Sequence, residues 1–108
     1  EKSLRDFATY GKAYALLELG QAPDALVLLE PLARSNRSDA ISQQARLATA
    51  LALRQSGRGQ EALKWLQELA DSNGTRESAK ALFELAVTFT ELQQPEQAIG
   101  VFEKLEQL

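Results

Sequence analysis

The side chains that could do chemistry in this chain are carboxylates, phenols and a few cations, because its 108 residues include no His and no Cys. Without His the chain lacks the commonest metal ligand and the usual general base near neutral pH. Without Cys it has no thiolate nucleophile, no disulfide and no Cys-rich zinc site. One remaining route to hydrolysis is a pair of carboxylates whose surroundings push their pKa values apart. Glu61, Glu68, Glu77, Glu84, Glu91 and Glu96 are the candidates. At helical spacing they mostly fall on polar faces, with nothing apolar placed to raise a pKa, so the chain reads as a non-enzyme. The stretches GQAPD from Gly20 and GRGQE from Gly57 lack the glycine run, the Lys and the preceding strand of a phosphate cradle. Their glycines read as turn formers, and no cofactor is implied.

Charge narrows the partners. Twelve basic against fifteen acidic side chains leave a formal charge of -3, which offers no global positive field to a nucleic-acid backbone. The longest apolar run, Ala25 to Leu29, is far short of the roughly 20 residues of a membrane span, so no membrane insertion is expected. With 44% hydrophobic and 25% charged residues the chain has the composition of a folded domain, one unit over 1–108. It begins at Glu1 with no charged leader, and reads as an excerpt from a longer protein. The lack of Cys suits a reducing or an oxidising compartment alike.

The elements that must position these side chains are set by an internal repeat. GQAPDALVLLEPLA from Gly20, GRGQEALKWLQELA from Gly57 and QQPEQAIGVFEKLE from Gln93 align so that Ala25, Ala62 and Ala98 lie 37 and then 36 residues apart. Gly20 and Gly57 suit the left-handed end of one helix, and Pro23 and Pro95 the first turn of the next. Asp24, Glu61 and Glu96 fall in that first turn, where the helix dipole favours negative charge. Leu29 and Leu32, Leu66 and Leu69, and Phe102 and Leu105 follow each Ala on one helical face. Between pairs, Ser38 and Thr75 suit N-caps, as does Ser3 at the start.

Six helices are therefore expected, about 3–19, 23–34, 39–55, 60–72, 76–92 and 95–108, with repeats of about 3–36, 38–73 and 75–108. Pro31 falls inside the second and predicts a kink. Counting 100° per residue centres the apolar arcs of the first helices on Phe7, Gly11 and Tyr14, on Ile41, Ala48 and Leu51, and on Leu82, Ala86 and Phe89. Gly11 then faces the partner helix, and Tyr10 and Tyr14 are core aromatics whose hydroxyls reach water. Trp65 is expected to pack against the next repeat.

These residues resemble the tetratricopeptide repeat family, whose helical hairpins of about 34 residues carry a small residue mid-helix, a large one three later and Gly at the turn. The resemblance runs through Tyr10, Gly11, Tyr14, Gly20 and Ala25; Leu47, Ala48, Leu51, Gly57 and Ala62; and Leu85, Ala86, Phe89 and Ala98, with Gln93 in place of the Gly. The first two repeats carry two extra residues between small residue and turn, and the family's closing Pro is missing. The resemblance implies an all-α, right-handed superhelical array of three antiparallel hairpins, whose first helices line a concave groove that binds a peptide or helix of a partner protein.

Carrying the family's groove positions over gives Arg5, Ala8, Lys12 and Ala15, then Ser42, Ala45, Thr49 and Ala52, then Lys80, Phe83, Val87 and Thr90. Arg5, Lys12, Thr49, Lys80, Phe83, Val87 and Thr90 are the side chains expected to meet a ligand. Their cations and apolar groups suit an acidic and apolar segment of a protein. The family's clamp for a C-terminal carboxylate is not expected, since only Lys80 matches it and Glu84 stands where a cation belongs. The last helix also shows Ile99, Val101 and Leu108, which nothing in the chain can cover. That end predicts either further repeats in the parent protein or self-association, and a structural or homo-oligomerising spacer within a larger protein is the alternative to groove binding.

Overall fold

The computed structural model describes residues 2–35, 40–72 and 76–108. They form α1 (Lys2–Glu18), α2 (Ala22–Ala33), α3 (Ala40–Gln55), α4 (Gly59–Asp71), α5 (Arg76–Glu91) and α6 (Pro95–Glu106). Among the described residues there is no strand. Every helix end lies within two residues of its expected place. Ser38 and Thr75 lie outside the described residues, whereas Ser3 is inside α1, which begins at Lys2, and so is not its N-cap. The predicted kink at Pro31 does not divide α2, which runs on as one helix to Ala33. The proline lacks the amide that would bond to the carbonyl of Val27, on the exposed side of the helix.

The turns within the three hairpins share one geometry. Gly20, Gly57 and Gln93 take positive φ of 77°, 78° and 64°. The amide one residue later reaches back five residues: Gln21 to the Leu16 carbonyl and Arg58 to that of Leu53 at 2.8 Å, Gln94 to that of Phe89 at 2.9 Å. This double-bonded end satisfies carbonyls that the helix leaves open, and glycine adopts it without a Cβ penalty. Gln93 adopts it with one.

Each helix packs on the next in sequence, and α1 touches α3 as α3 touches α5. Among the described residues the backbones of the second helices α2, α4 and α6 stay apart from one another. The first helices thus form a continuous inner row and the second helices splay along the outside. The described residues extend over 44 × 29 × 19 Å.

Leu29, Leu66 and Leu85 are the largest fully buried apolar side chains. Ala13, Ala50 and Ala86 are fully buried as well, each seven residues ahead of its turn residue Gly20, Gly57 or Gln93. That register corrects the sequence reading in the first two hairpins. Gly11 does not face the partner helix, for a Cβ built there would meet nothing within 4 Å. Phe7 and Tyr14 are exposed rather than at the centre of the core. Ala13 and Ala50, two residues nearer the turn, occupy the position that Ala86 holds in the third hairpin, which accounts for the two extra residues. Ile41, Ala48 and Ala86 are buried as expected.

Polar groups tie the hairpins together. Arg46 donates from Nε to the Ala33 carbonyl at 3.0 Å and from Nη2 to that of Ser35 at 2.9 Å, closing the C-terminal end of α2 from α3. Ser78 Oγ donates to the Ala70 carbonyl at 3.1 Å and does the same for α4 from α5. Arg54 of α3 reaches α5, with Nη1 2.8 Å from Glu84 Oε1 and 3.1 Å from Thr88 Oγ1, and Nε 3.2 Å from Glu91 Oε1.

Candidate partner-binding groove

The inner row encloses a trough of about 700 Å³ lined by α1, α3 and α5. Counting back from the turns explains its lining. Tyr10, Leu47 and Phe83 each lie ten residues ahead of Gly20, Gly57 and Gln93, and Tyr14, Leu51 and Val87 six ahead. Two apolar rows therefore cross the three helices, and all but Val87 line the trough. Gln44 and Lys80, thirteen ahead of their turns, form the polar lip with Glu77 and Glu84.

The rows are held in place by their neighbours. Tyr10 and Tyr14 have ring centroids 6.0 Å apart, inclined at 51°. Phe83 meets Phe102 of α6 edge-on, with centroids 6.0 Å apart. Burial, followed by Tyr14 and Glu77, holds the Tyr10 phenol above its ordinary range, so it remains a neutral donor. Tyr14 and Phe83 keep nearly half their surface open to solvent, with 45% and 47% exposed. Large apolar rings held rigidly at a concave surface can anchor an apolar side chain at little entropic cost.

The expected ligand residues are dispersed by the structure. Lys80 and Phe83 line the trough. Val87 is half-buried and Thr90 exposed, one and two turns further along the same face of α5 and outside the trough lining. The Thr90 hydroxyl donates to the Ala86 carbonyl at 3.0 Å. Thr49 is fully buried, its hydroxyl donating to the Ala45 carbonyl at 2.7 Å, and so cannot meet a partner. Ser42, Ala45 and Ala52 are buried with it. All four lie on the face of α3 that packs on neighbouring helices. Arg5 and Lys12 occupy the corresponding face of α1, exposed but outside the trough, as do Ala8 and Ala15. Among the described residues no basic rim lines the trough, and Lys80 stands between Glu77 and Glu84.

Of the trough lining the sequence reading found only Lys80 and Phe83, and it missed the apolar wall of Tyr10, Tyr14, Leu47 and Leu51 together with Gln44. Aligning the hairpins on their turns rather than on Gly11 and Ala48 would have found them. Trp65 packs under the Arg34 guanidinium, 5.5 Å from the ring centroid, and Arg34 belongs to the preceding hairpin rather than the next. Three of the six candidate carboxylates are engaged in ion pairs: Glu61 with Arg58 at 2.6 Å, which lowers the Glu61 pKa, and Glu84 and Glu91 with Arg54. Among the described residues, no group of three or more acidic side chains could hold a metal ion and no helix is long and apolar enough to cross a membrane.

No curated protein and no solved structure matches the chain. A family model described as tetratricopeptide repeat matches residues 10–75, more than half of the chain, from the middle of α1 to the end of the second hairpin. With three hairpins in a common register, a small buried residue at each helix crossing and the first helices inside, the chain belongs to the tetratricopeptide repeat family.

Proposed function

We propose that this chain is a non-catalytic protein-binding module whose trough takes a segment of a partner protein anchored by large apolar side chains. The observation that carries this reading is the alignment of Tyr10, Leu47 and Phe83, with Tyr14 and Leu51, across one concave wall. Interface energy concentrates in aromatic anchors held in such hollows. Lys80 offers one contact to a carboxylate of the ligand, while Glu77 and Glu84 disfavour a strongly acidic one.

Selection of peptides from a phage-displayed random library against the 108-residue chain tests this reading. Selected peptides are expected to share a large apolar residue. Tyr14→Ser is expected to weaken them at least about tenfold with the helical circular dichroism unchanged. Phe83→Ser with Val87→Ser is expected to weaken them similarly, at some cost in stability because Phe83 supports Phe102. Peptides that bind equally well to Tyr14→Ser and to the double variant would overturn the groove reading.

A second reading, a homo-oligomerising spacer, is supported by a different observation. Ile99 and Leu108 are exposed at one end of the array, Leu4 and Leu19 at the other. It does not depend on the trough.

A further inference from the structure

The two sides of the trough differ in kind. The α1 side is aromatic, with Tyr10 and Tyr14, and the α5 side carries charge, with Glu77, Lys80 and Glu84. The backbones of α1 and α5 stay apart with α3 between them, and Leu47, Ala48 and Leu51 of α3 make an apolar floor. The two carboxylates are not in the same state. Glu84 is held by Arg54 at 2.8 Å, so its charge is already met within the chain. The Glu77 side chain has no ion pair and no hydrogen bond among the described residues, although Lys80 stands one turn away on the same helix. Glu77 is half-buried, whereas Lys80 is exposed. A carboxylate partly withdrawn from water, with no cation of its own, has lost hydration that nothing in the chain replaces.

The aromatic side supplies a second observation. Tyr14 keeps 45% of its surface open, and the Tyr10 and Tyr14 rings are inclined at 51° with centroids 6.0 Å apart. Rings that close leave no slot between them, so a ligand group meets Tyr14 from its open side. The face of such a ring is electron-rich and attracts cations. Glu77 lies near enough for its charge to help keep the Tyr10 phenol protonated, which puts the carboxylate and the aromatic pair in one locality rather than at opposite ends of the trough.

We propose that the partner segment places an arginine side chain here, its guanidinium lying against Tyr14 and donating to the Glu77 carboxylate, beside the apolar residue that the floor takes. This rests on the reading of the trough as a binding site and names the charge of what enters it. Arginine suits the place because its planar group stacks on a ring, presents several donors at once and gives up less hydration than an ammonium. Over an apolar floor the attraction is weakened less by solvent than at an open surface. The formal charge of -3 draws a basic segment toward the chain. The trough thus selects a basic and apolar segment, opposite in sign to the acidic one expected from the sequence.

Peptides selected from the phage-displayed library, synthesised with a fluorescein label and titrated by fluorescence anisotropy, test this. Their sequences are expected to be enriched in arginine beside the large apolar residue. Glu77→Gln is expected to weaken such a peptide about tenfold, whereas the same peptide with alanine for its arginine binds the parent and Glu77→Gln equally. Glu68→Gln removes the same charge from an exposed site outside the trough lining and is expected to leave binding within about twofold. Tyr14→Phe is expected to keep the affinity and Tyr14→Leu to lose about threefold, because leucine is apolar but offers no ring face. Helical circular dichroism is expected to be unchanged throughout, since Tyr14 is exposed and Glu77 half-buried. Peptides without arginine, or a loss on Glu77→Gln that is equal with and without the arginine, would sink this inference and leave the groove reading standing as long as Tyr14→Ser still weakens them. Peptides indifferent to Tyr14→Ser and to Phe83→Ser with Val87→Ser would overturn both.

Discussion

Helices α1 and α3 occupy equivalent places in their hairpins and carry a similar scatter of alanines, yet they bury different fractions of themselves. Ala45 and Ala52 of α3 are fully enclosed, while Ala8 and Ala15 of α1 face water. Neither helix could declare this alone, because a residue's environment in a repeat array depends on whether a hairpin stands on each side. Ala45, Ala48, Ala50 and Ala52 let α3 sit between α2 and α4 while touching both α1 and α5. The lesson is that the same residue type, at the same register, is packing in one hairpin and surface in another.

That contrast can be sharpened by substitution, read as denaturation midpoints. The largest effect is expected in the second helices. Leu66→Ala in the central α4 should cost about 2–5 kcal/mol, whereas Phe102→Ala at the half-covered equivalent in α6 should cost visibly less. Equal losses would mean that α6 is as well enclosed as α4. Next comes crowding. Ala52→Leu in α3 should destabilise by about 1–3 kcal/mol, and the equivalent Ala15→Leu in α1 should stay within about 0.5 kcal/mol of the parent at concentrations where the chain is a single copy.

Smaller still, Gly11→Ala should stabilise by ~1 kcal/mol, because the added methyl enters open space in a helix interior. Destabilisation would return Gly11 to a helix contact. The smallest change is expected at the third turn. Gln93→Gly relieves a left-handed residue of its Cβ but adds chain entropy, for a net gain of about 0.5 kcal/mol. Gly20→Ala and Gly57→Ala, at the same φ, should both lose stability.

Much of the fold could be read from the residues. The recurrence of Ala25, Ala62 and Ala98, with Gly20 and Gly57 before them, located the turns, and the turns located the helices. The groove was legible only where the register was. In α5, Ala86 is both the small residue and seven ahead of the turn, so Lys80 and Phe83 came out in the trough. In α1, Gly11 followed by Tyr14 imitates the small-then-aromatic spacing of the family two residues too early. Phe7, Tyr10 and Tyr14 also form an apolar arc that periodicity cannot tell from a core face. The two tyrosines line a hollow rather than fill the interior, and Phe7 is exposed outside that lining. In α3, alanines on several sides give no amphipathic signal, so Thr49 and Ser42 read as surface when they are enclosed by both neighbours.

Because the first helices touch along an unbroken line while the second helices stand apart, the array resists its possible distortions unequally. Squeezing the inner row meets packed side chains at once. Fanning the outer helices toward or away from each other separates only the Arg34–Trp65 side-chain contact and needs only small rotations about that line. The easiest motion is thus a change of curvature, which widens or narrows the aromatic hollow as a leaf spring alters its bow, with the Arg54 ion pairs and the Arg46 and Ser78 hydrogen bonds as its clamps.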